Sequence, residues 1–174
     1  MCPTQEEEEE EGFVMRRTML FVAATALALV LAAGVALAQP FGDQGPGVTL
    51  FCQTNCVGTT YPDTLIGSNA PNTIHGLGGN ESPTSGDYIA GHGGNDTLYG
   101  EAGGDRIEGG NGADTIYGGP GQNLLIGGPG QDRIYGGGGG ETIRVRDGYR
   151  DRVNCGGPGD DISNRDPIDV FSNC

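Results

Sequence analysis

Between Gly58 and Arg144 an aliphatic residue recurs once in every nine positions. Leu65, Ile74, Ile89, Leu98, Ile107, Ile116, Leu125, Ile134 and Ile143 all hold the eighth place of a nine-residue block. Six blocks run without a gap from Gly91 to Arg144: GHGGNDTLY, GEAGGDRIE, GGNGADTIY, GGPGQNLLI, GGPGQDRIY and GGGGGETIR. Two earlier blocks, GTTYPDTLI (58–66) and GSNAPNTIH (67–75), keep the period with fewer glycines. The stretch GLGGNESPTSGDYIA that follows becomes a ninth block if Glu81 to Gly86 form an inserted turn. An inward residue flanked by two outward ones marks a short strand, because strand side chains alternate with a period of two. Position eight and its two neighbours therefore read as a short strand in each block. Repeats of this size cannot bury a face alone and must stack.

Composition sharpens this picture. Glycine accounts for 35 of the 174 residues, which excludes an ordinary helical domain because glycine is a poor helix former. The period is nine rather than three, so a collagen triple helix is excluded, and the strict register argues against disorder. One aliphatic residue per block buries too little to offset the entropy of ordering glycine-rich turns, so something else must hold them. The chain carries 23 acidic residues against nine arginines and no lysine, a formal charge of −14, which argues against a nucleic-acid surface. The acids of the repeats concentrate at position six, occupied in turn by Asp63, Asn72, Asp87, Asp96, Asp105, Asp114, Asn123, Asp132 and Glu141. A carboxylate beside a glycine turn with accessible carbonyls offers the hard oxygen ligands that Ca²⁺ prefers.

The blocks resemble the G-G-x-G-x-D-x-U-x nonapeptide of RTX (haemolysin-type) calcium-binding repeats, and residues 109–117 and 127–135 fit it at every specified place. The resemblance implies an all-β, right-handed parallel β-roll stabilised by calcium. It places each ion between two turns stacked on one edge, a full coil of 18 residues apart. One edge then stacks Asn72, Asp96, Asp114 and Asp132, and the other Asp63, Asp87, Asp105, Asn123 and Glu141. The best sites are expected between the turns of Asp96 and Asp114 and of Asp114 and Asp132. Gly91, Gly93, Gly109, Asn111, Gly127 and Pro129 are the turn residues assigned to these sites. Asparagine and the longer glutamate weaken the other edge towards its C-terminal end. Affinity is expected in the range of extracellular modules, ~10⁻⁴–10⁻³ M.

The flanks carry other information. Arg16 and Arg17, the apolar run Met19 to Leu37 and the small-residue site Ala36-Leu37-Ala38 make residues 1–38 a signal peptide region, with Met15 the expected start. An uncleaved anchor is the alternative. The glutamate run Glu6 to Glu11 has the wrong charge for the start of such a signal; without residues 1–38 the net charge is −10, from 17 acids and seven arginines. Residues 39–57 then form a lead-in, 58–144 the repeat roll and 145–174 a C-terminal cap. Cys52, Cys56, Cys155 and Cys174 are an even number in an exported chain, so disulfides are expected. Three pairings are open; the two local ones, Cys52–Cys56 and Cys155–Cys174, are favoured and would staple opposite ends of the solenoid. A four-cysteine zinc site lacks the C-x₂-C spacing. In the cap a D-x-aliphatic pattern persists at Asp151, Asp160 and Asp166, and Arg144, Arg146, Arg150, Arg152 and Arg165 are expected to act as counter-charge for these acids.

No H-E-x-x-H or G-x-S-x-G motif is present, and the only histidines, His75 and His92, lie inside repeat blocks. The N-terminal signal and the Cys-Gly-rich C-terminal segment resemble short, standalone exported calcium-binding proteins more than secreted toxins. The expected function is a secreted, monomeric calcium-binding protein that folds on Ca²⁺ and has no catalysis of its own. Tyr99, Tyr117 and Tyr135 recur every 18 residues at position nine and should form an outward ladder. Strand packing explains such a ladder; the alternative is an adhesive or glycan-binding matrix module that presents this face to a cell-surface partner.

Overall fold

The structure, a computed structural model, describes residues 47–78 and 86–174 and, before them, only the two-residue strand Val35–Ala36. Apart from that strand the signal region lies outside the described residues, as does all of the Glu81–Gly86 insertion except Gly86. The described residues from Gly47 onward form a parallel β-solenoid with no helix. Its coil passes alternately through two sheets. One sheet stacks Asn55–Val57, Thr73–His75, Thr97–Tyr99, Thr115–Pro120, Arg133–Gly138, Arg152–Asn154 and Val170–Ser172. The other stacks Thr49–Phe51, Thr64–Ile66, Tyr88–Gly93, Arg106–Asn111, Leu124–Ile126, Thr142–Arg144 and Asp161–Asn164.

The position-eight residues explain both sheets. In the first, Ile74 pairs with Leu98, Leu98 with Ile116, Ile116 with Ile134, and Ile134 with Val153. In the second, Leu65, Ile89, Ile107, Leu125 and Ile143 follow one another in the same way. All nine aliphatics of the repeats are at most 1% exposed, whereas positions seven and nine on either side face outward. The core is thus one column of side chains from each sheet, extended by Val145, Val153 and the disulfide cysteines Cys52, Cys56 and Cys155. The inserted turn leaves a mark in the register. Leu65 pairs with Ile89 and Ile74 with Leu98, a step of 24 residues, while later steps in the repeats are 18. The Gly78–Ala102 bridge has the wide step and Arg106–Tyr88 the normal one, so the six surplus residues fall between Gly78 and Tyr88.

Four strands are longer than the three residues expected from the sequence. Tyr88–Gly93, Arg106–Asn111, Thr115–Pro120 and Arg133–Gly138 each run on into the first turn residues. There His92 pairs with Gly110 and Gly137 with Gly119, so the turns themselves are laddered from coil to coil. The second turn position adopts positive φ, 101° at Gly110, and the same conformation is held by His92 (φ 74°) and Glu101 (φ 67°). His92 is therefore a turn residue that tolerates the left-handed region, as its glycine-like position suggested.

Disulfides join Cys52 to Cys56 and Cys155 to Cys174, with Cα separations of 5.5 and 5.0 Å. The two local pairings are the ones formed, one before the repeats and one after them. Because the core has a single side chain per strand, truncating any one leaves a void that no second layer can fill. Ile116→Ala should lower the stability of the calcium-loaded protein by about 2–5 kcal/mol, measured by denaturant unfolding. An unchanged midpoint would contradict a single-column core.

Candidate metal centre

Every position-six residue of the nine blocks is buried, at most 4% exposed, although each follows a turn on an edge of the roll. Their backbone positions follow from the strand that comes next: position eight points inward, so position six, two residues earlier, points inward as well. Along the first edge, the Asn72 N–H donates to Asp96 Oδ1 (2.7 Å), Asp96 N–H to Asp114 Oδ1 (2.8 Å) and Asp114 N–H to Asp132 Oδ1 (2.8 Å). Along the second, Asp63 N–H donates to Asp87 Oδ1 (2.8 Å), Asp87 N–H to Asp105 Oδ1 (2.8 Å) and Asp105 N–H to Asn123 Oδ1 (2.9 Å). One oxygen of each side chain thus braces the coil before it. The 18-residue spacing indicates the stacking but not this brace, which depends on where the backbone N–H points.

The other oxygen has no protein partner. Asp87, Asp96, Asp105, Asp114 and Asp132 each bury Oδ2 without a hydrogen bond, and Glu141 does the same with Oε1. Its surroundings are backbone carbonyls. A Cβ added at Gly91 would meet both Asp96 Oδ2 and the Gly109 carbonyl oxygen, and one at Gly109 would meet Asp114 Oδ2 and the Gly127 carbonyl oxygen. A carboxylate oxygen facing carbonyl oxygens is repulsive unless a cation or a proton lies between them. Asparagine at the equivalent places shows the contrast. Asn123 keeps the brace through Oδ1 but turns Nδ2 to the Gly119 carbonyl (3.2 Å), and Asn72 Nδ2 donates to Thr54 O (3.2 Å). An amide satisfies itself here; a carboxylate does not.

The remaining turn residues assigned from sequence take part in backbone hydrogen bonds between stacked turns. The Asn111 carbonyl accepts from Gly94 N–H (2.9 Å), Pro129 O from Gly112 N–H (3.0 Å) and Gly127 O from Gly110 N–H (3.1 Å). Each carbonyl retains a second lone pair. Gly93 N–H donates across to Ser68 O (3.2 Å). Asp63 departs from the pattern: Val48 N–H (2.6 Å) and Thr59 N–H (2.5 Å) donate to its two oxygens, and the Thr59 hydroxyl adds to them. A Cβ added at Gly58 would still meet Asp63 Oδ2 and the Gly76 carbonyl oxygen, as at Gly91. No three Asp, Glu, His or Cys side chains converge on one point among the described residues, so the rest of any coordination shell would be carbonyl oxygen.

No side chain supplies counter-charge. The ion pairs among the described residues are His75–Glu101 and Arg106–Glu108, and neither touches a position-six acid. The expected neutralisation by Arg144, Arg146, Arg150, Arg152 and Arg165 does not occur: all five are exposed, and Arg165 instead lies over the Phe171 ring at 5.0 Å. Burial is the leading reason that the carboxyls are pushed upward, to about 8 at Asp132, about 7 at Asp87 and Glu141 and about 6 at Asp96. Asp105 and Asp114 are raised for the same reason. Neighbouring acids add to the effect at Asp87, Asp96 and Asp132.

The outward ladder is present and one ring longer than the tyrosine spacing indicates. His75 stacks on Tyr99 with ring centroids 4.4 Å apart, Tyr99 on Tyr117 at 4.9 Å and Tyr117 on Tyr135 at 4.8 Å. His75 holds position nine one coil before Tyr99, hidden in sequence by the insertion between them. Its Nδ1 lies 2.9 Å from Glu101 Oε1.

The raised carboxyls set a pH dependence. Between pH 4 and 8 the folded, cation-free roll binds more protons than the unfolded chain, so its stability falls as pH rises. In chelator, the folded fraction should therefore rise when pH is lowered from 8 to 5, measured as recovery of far-ultraviolet circular dichroism β-signal. A signal that falls over that range would contradict buried, unneutralised acids.

The family model for the RTX calcium-binding nonapeptide repeat (4 copies) matches residues 57–82, 84–116 and 108–143. No curated protein and no solved structure matches the chain significantly. The matched residues are those whose position-six acids line the two edges, and repeats of this family bind Ca²⁺. With the parallel solenoid, this makes the chain an RTX-type calcium-binding repeat protein.

Proposed function

We propose that this is a secreted calcium-binding protein whose β-roll folds as Ca²⁺ enters the turns of both edges, with no catalytic activity of its own. The observation that carries the reading is the buried, partnerless carboxylate oxygen repeated along both edges against backbone carbonyls. Asp96, Asp114 and Asp132 supply carboxylates on one edge, with the turns of Gly91, Gly93, Gly109, Asn111, Gly127 and Pro129 around them; Asp87 and Asp105 serve the other. Calcium suits this donor set because it accepts many oxygens at flexible geometry, carbonyls included. Without it, a column of carboxylates is stacked one coil apart in a poorly solvating interior, with a single aliphatic per strand to oppose that repulsion. Export fits the two disulfides, which persist in oxidising compartments.

The ring ladder gives less support to a glycan-binding role. Its members lie face to face, within 7° of parallel, so their faces are taken by one another and only edges and hydroxyls meet solvent. A sugar that stacks on an aromatic face finds one only at the end of the row, on Tyr135.

Far-ultraviolet circular dichroism before and after chelation tests the proposal: the β-signal should be lost in chelator and return with added Ca²⁺. Persistence of the full signal without calcium would sink it. The cradle can be tested with two glycines. Gly109→Ala pushes a methyl against Asp114 Oδ2 and the Gly127 carbonyl, whereas a Cβ at Gly138 meets nothing within 4 Å. Gly109→Ala should weaken calcium binding about tenfold or more, a cost of about 1–3 kcal/mol. Gly138→Ala should bind like the parent in the same calorimetric titration; equal behaviour of the two variants would contradict the assigned cradle.

A further inference from the structure

The charge on the outside of the roll has the opposite sign to the charge of the chain. Acids outnumber arginines in the sequence, yet among the described residues Asp161 is the only exposed acid, and it belongs to the second sheet. The position-six acids and Asp151 are buried. The half-buried acids are all engaged: Glu101 with His75, Glu108 with Arg106, and Asp147, Asp160, Asp166 and Asp169 as acceptors of backbone N–H groups. The brace draws carboxylates to the inside of the coil, and the arginines face the other way. Arg133, Arg144, Arg146, Arg150, Arg152 and Arg165 are exposed, and none of them forms an ion pair with a described residue.

On the first sheet these charges meet an aromatic face. No described strand of that sheet contains an acid. Arg133 and Arg152 pair across adjacent strands and both point outward. Neighbouring strands lie about 4.8 Å apart, so the two guanidinium groups can reach one anionic polymer. Tyr135, two residues after Arg133 and on the same face, is the last ring of the ladder. Tyr117 covers one side of it. On the other side its strand partner is Asn154, which has no ring, and Tyr135 is 39% exposed. Asn173 Nδ2 donates to Asn154 Oδ1 (3.1 Å), so amides border the free aromatic face.

We propose that this patch binds an acidic polysaccharide: one sugar ring stacks on the free face of Tyr135, and anionic groups of the polymer pair with Arg133 and Arg152. Guanidinium is planar and donates two parallel hydrogen bonds to an oxyanion. The amides of Asn154 and Asn173 suit sugar hydroxyls, since each both donates and accepts. A single-stranded nucleic acid fits less well, because successive bases need several free aromatic faces and the inner rings of this ladder cover one another. Arg146 and Arg150 add attraction over a longer range. The proposal goes beyond calcium binding and does not depend on which turns hold the ion.

The full disulfide-bonded chain, saturated with Ca²⁺ and verified as folded by circular dichroism, is titrated calorimetrically with size-matched oligosaccharides of hyaluronate, chondroitin sulfate and dextran, and with a single-stranded oligonucleotide. The parent should bind at least one of the two acidic oligosaccharides and leave dextran unbound. The double variant Arg133→Gln, Arg152→Gln should weaken that binding about tenfold or more, whereas Arg106→Gln, Arg144→Gln, an equal change of charge on the second sheet, should leave it within about twofold. Tyr135→Leu, which removes the ring but no charge, should weaken it as well. Failure to bind either acidic oligosaccharide, equal losses in the two double variants, or tighter binding of the oligonucleotide than of both acidic saccharides would each overturn the proposal. Parent-like binding by Tyr135→Leu would overturn the stacking of a sugar on that ring.

Discussion

Everything in this fold turns on a carboxylate that must do two things at once. One oxygen of Asp87, Asp96, Asp105, Asp114 and Asp132 accepts the backbone N–H of the coil before it, and the other lies buried with no hydrogen bond. The first role is structural and satisfies a donor that burial would otherwise orphan. The second is unfavourable as long as the group is charged and alone. Where only the first is needed, asparagine serves, as at Asn123. In the proposed holo form, the aspartates whose second oxygen lacks a partner mark the turns that take the cation.

The same arrangement accounts for the thinness of the hydrophobic core. A coil of 18 residues contributes two aliphatic side chains, one to each sheet. That is enough to align the strands, since position eight alone fixes which face is inward. It is too little to oppose the entropy of the glycine turns, whose positive-φ positions are paired from coil to coil by backbone hydrogen bonds. In the proposed holo form, calcium completes the turn by converting the repulsive face of each carboxylate into a ligand. Cohesion then runs along the edges of the roll while alignment runs through its centre.

Much of this was legible in the sequence because the repeat is strict. The register of Leu65 through Ile143 and the inserted turn follow from spacing, the two acid columns from the family resemblance, and the disulfides from a choice of the two local pairings among three. The features that escaped depend on what spacing does not encode. The brace needs the direction of a backbone N–H. His75 joins the ladder only once the 24-residue step is recognised. After Arg144 the step is 19 from Asp132 to Asp151 and 18 again from Asp151 to Asp169; the pattern of an acid followed by an aliphatic points to Asp166 and Ile168, yet the residues that continue the column and the core are Asp169 and Phe171. The arginine expectation failed for a simple geometric reason. Arg144 and Arg152 stand on outward strand positions beside Ile143 and Val153, whereas the acids two residues before those aliphatics point inward, so the two charges lie on opposite sides of the backbone.

The brace also gives the column a direction, and that direction explains why its ends differ from its middle. Each bond runs from the N–H of one coil to the carboxylate of the next, so the first acid lacks a preceding coil and the last N–H lacks a following one. At the start the lead-in takes the missing place: Val48 N–H donates to Asp63 Oδ1, and Thr59 occupies the other oxygen. At the far end of the other column the final acid folds back on its own segment, Asp169 N–H donating to Asp166 O (3.3 Å) while the Asp169 carboxylate accepts from Asp166 and Asp151. Asp63 opens the second edge and Asp169 closes the first, so one column begins on backbone and hydroxyl donors supplied by the lead-in and its own turn, while the other ends on acceptors supplied by its own segment.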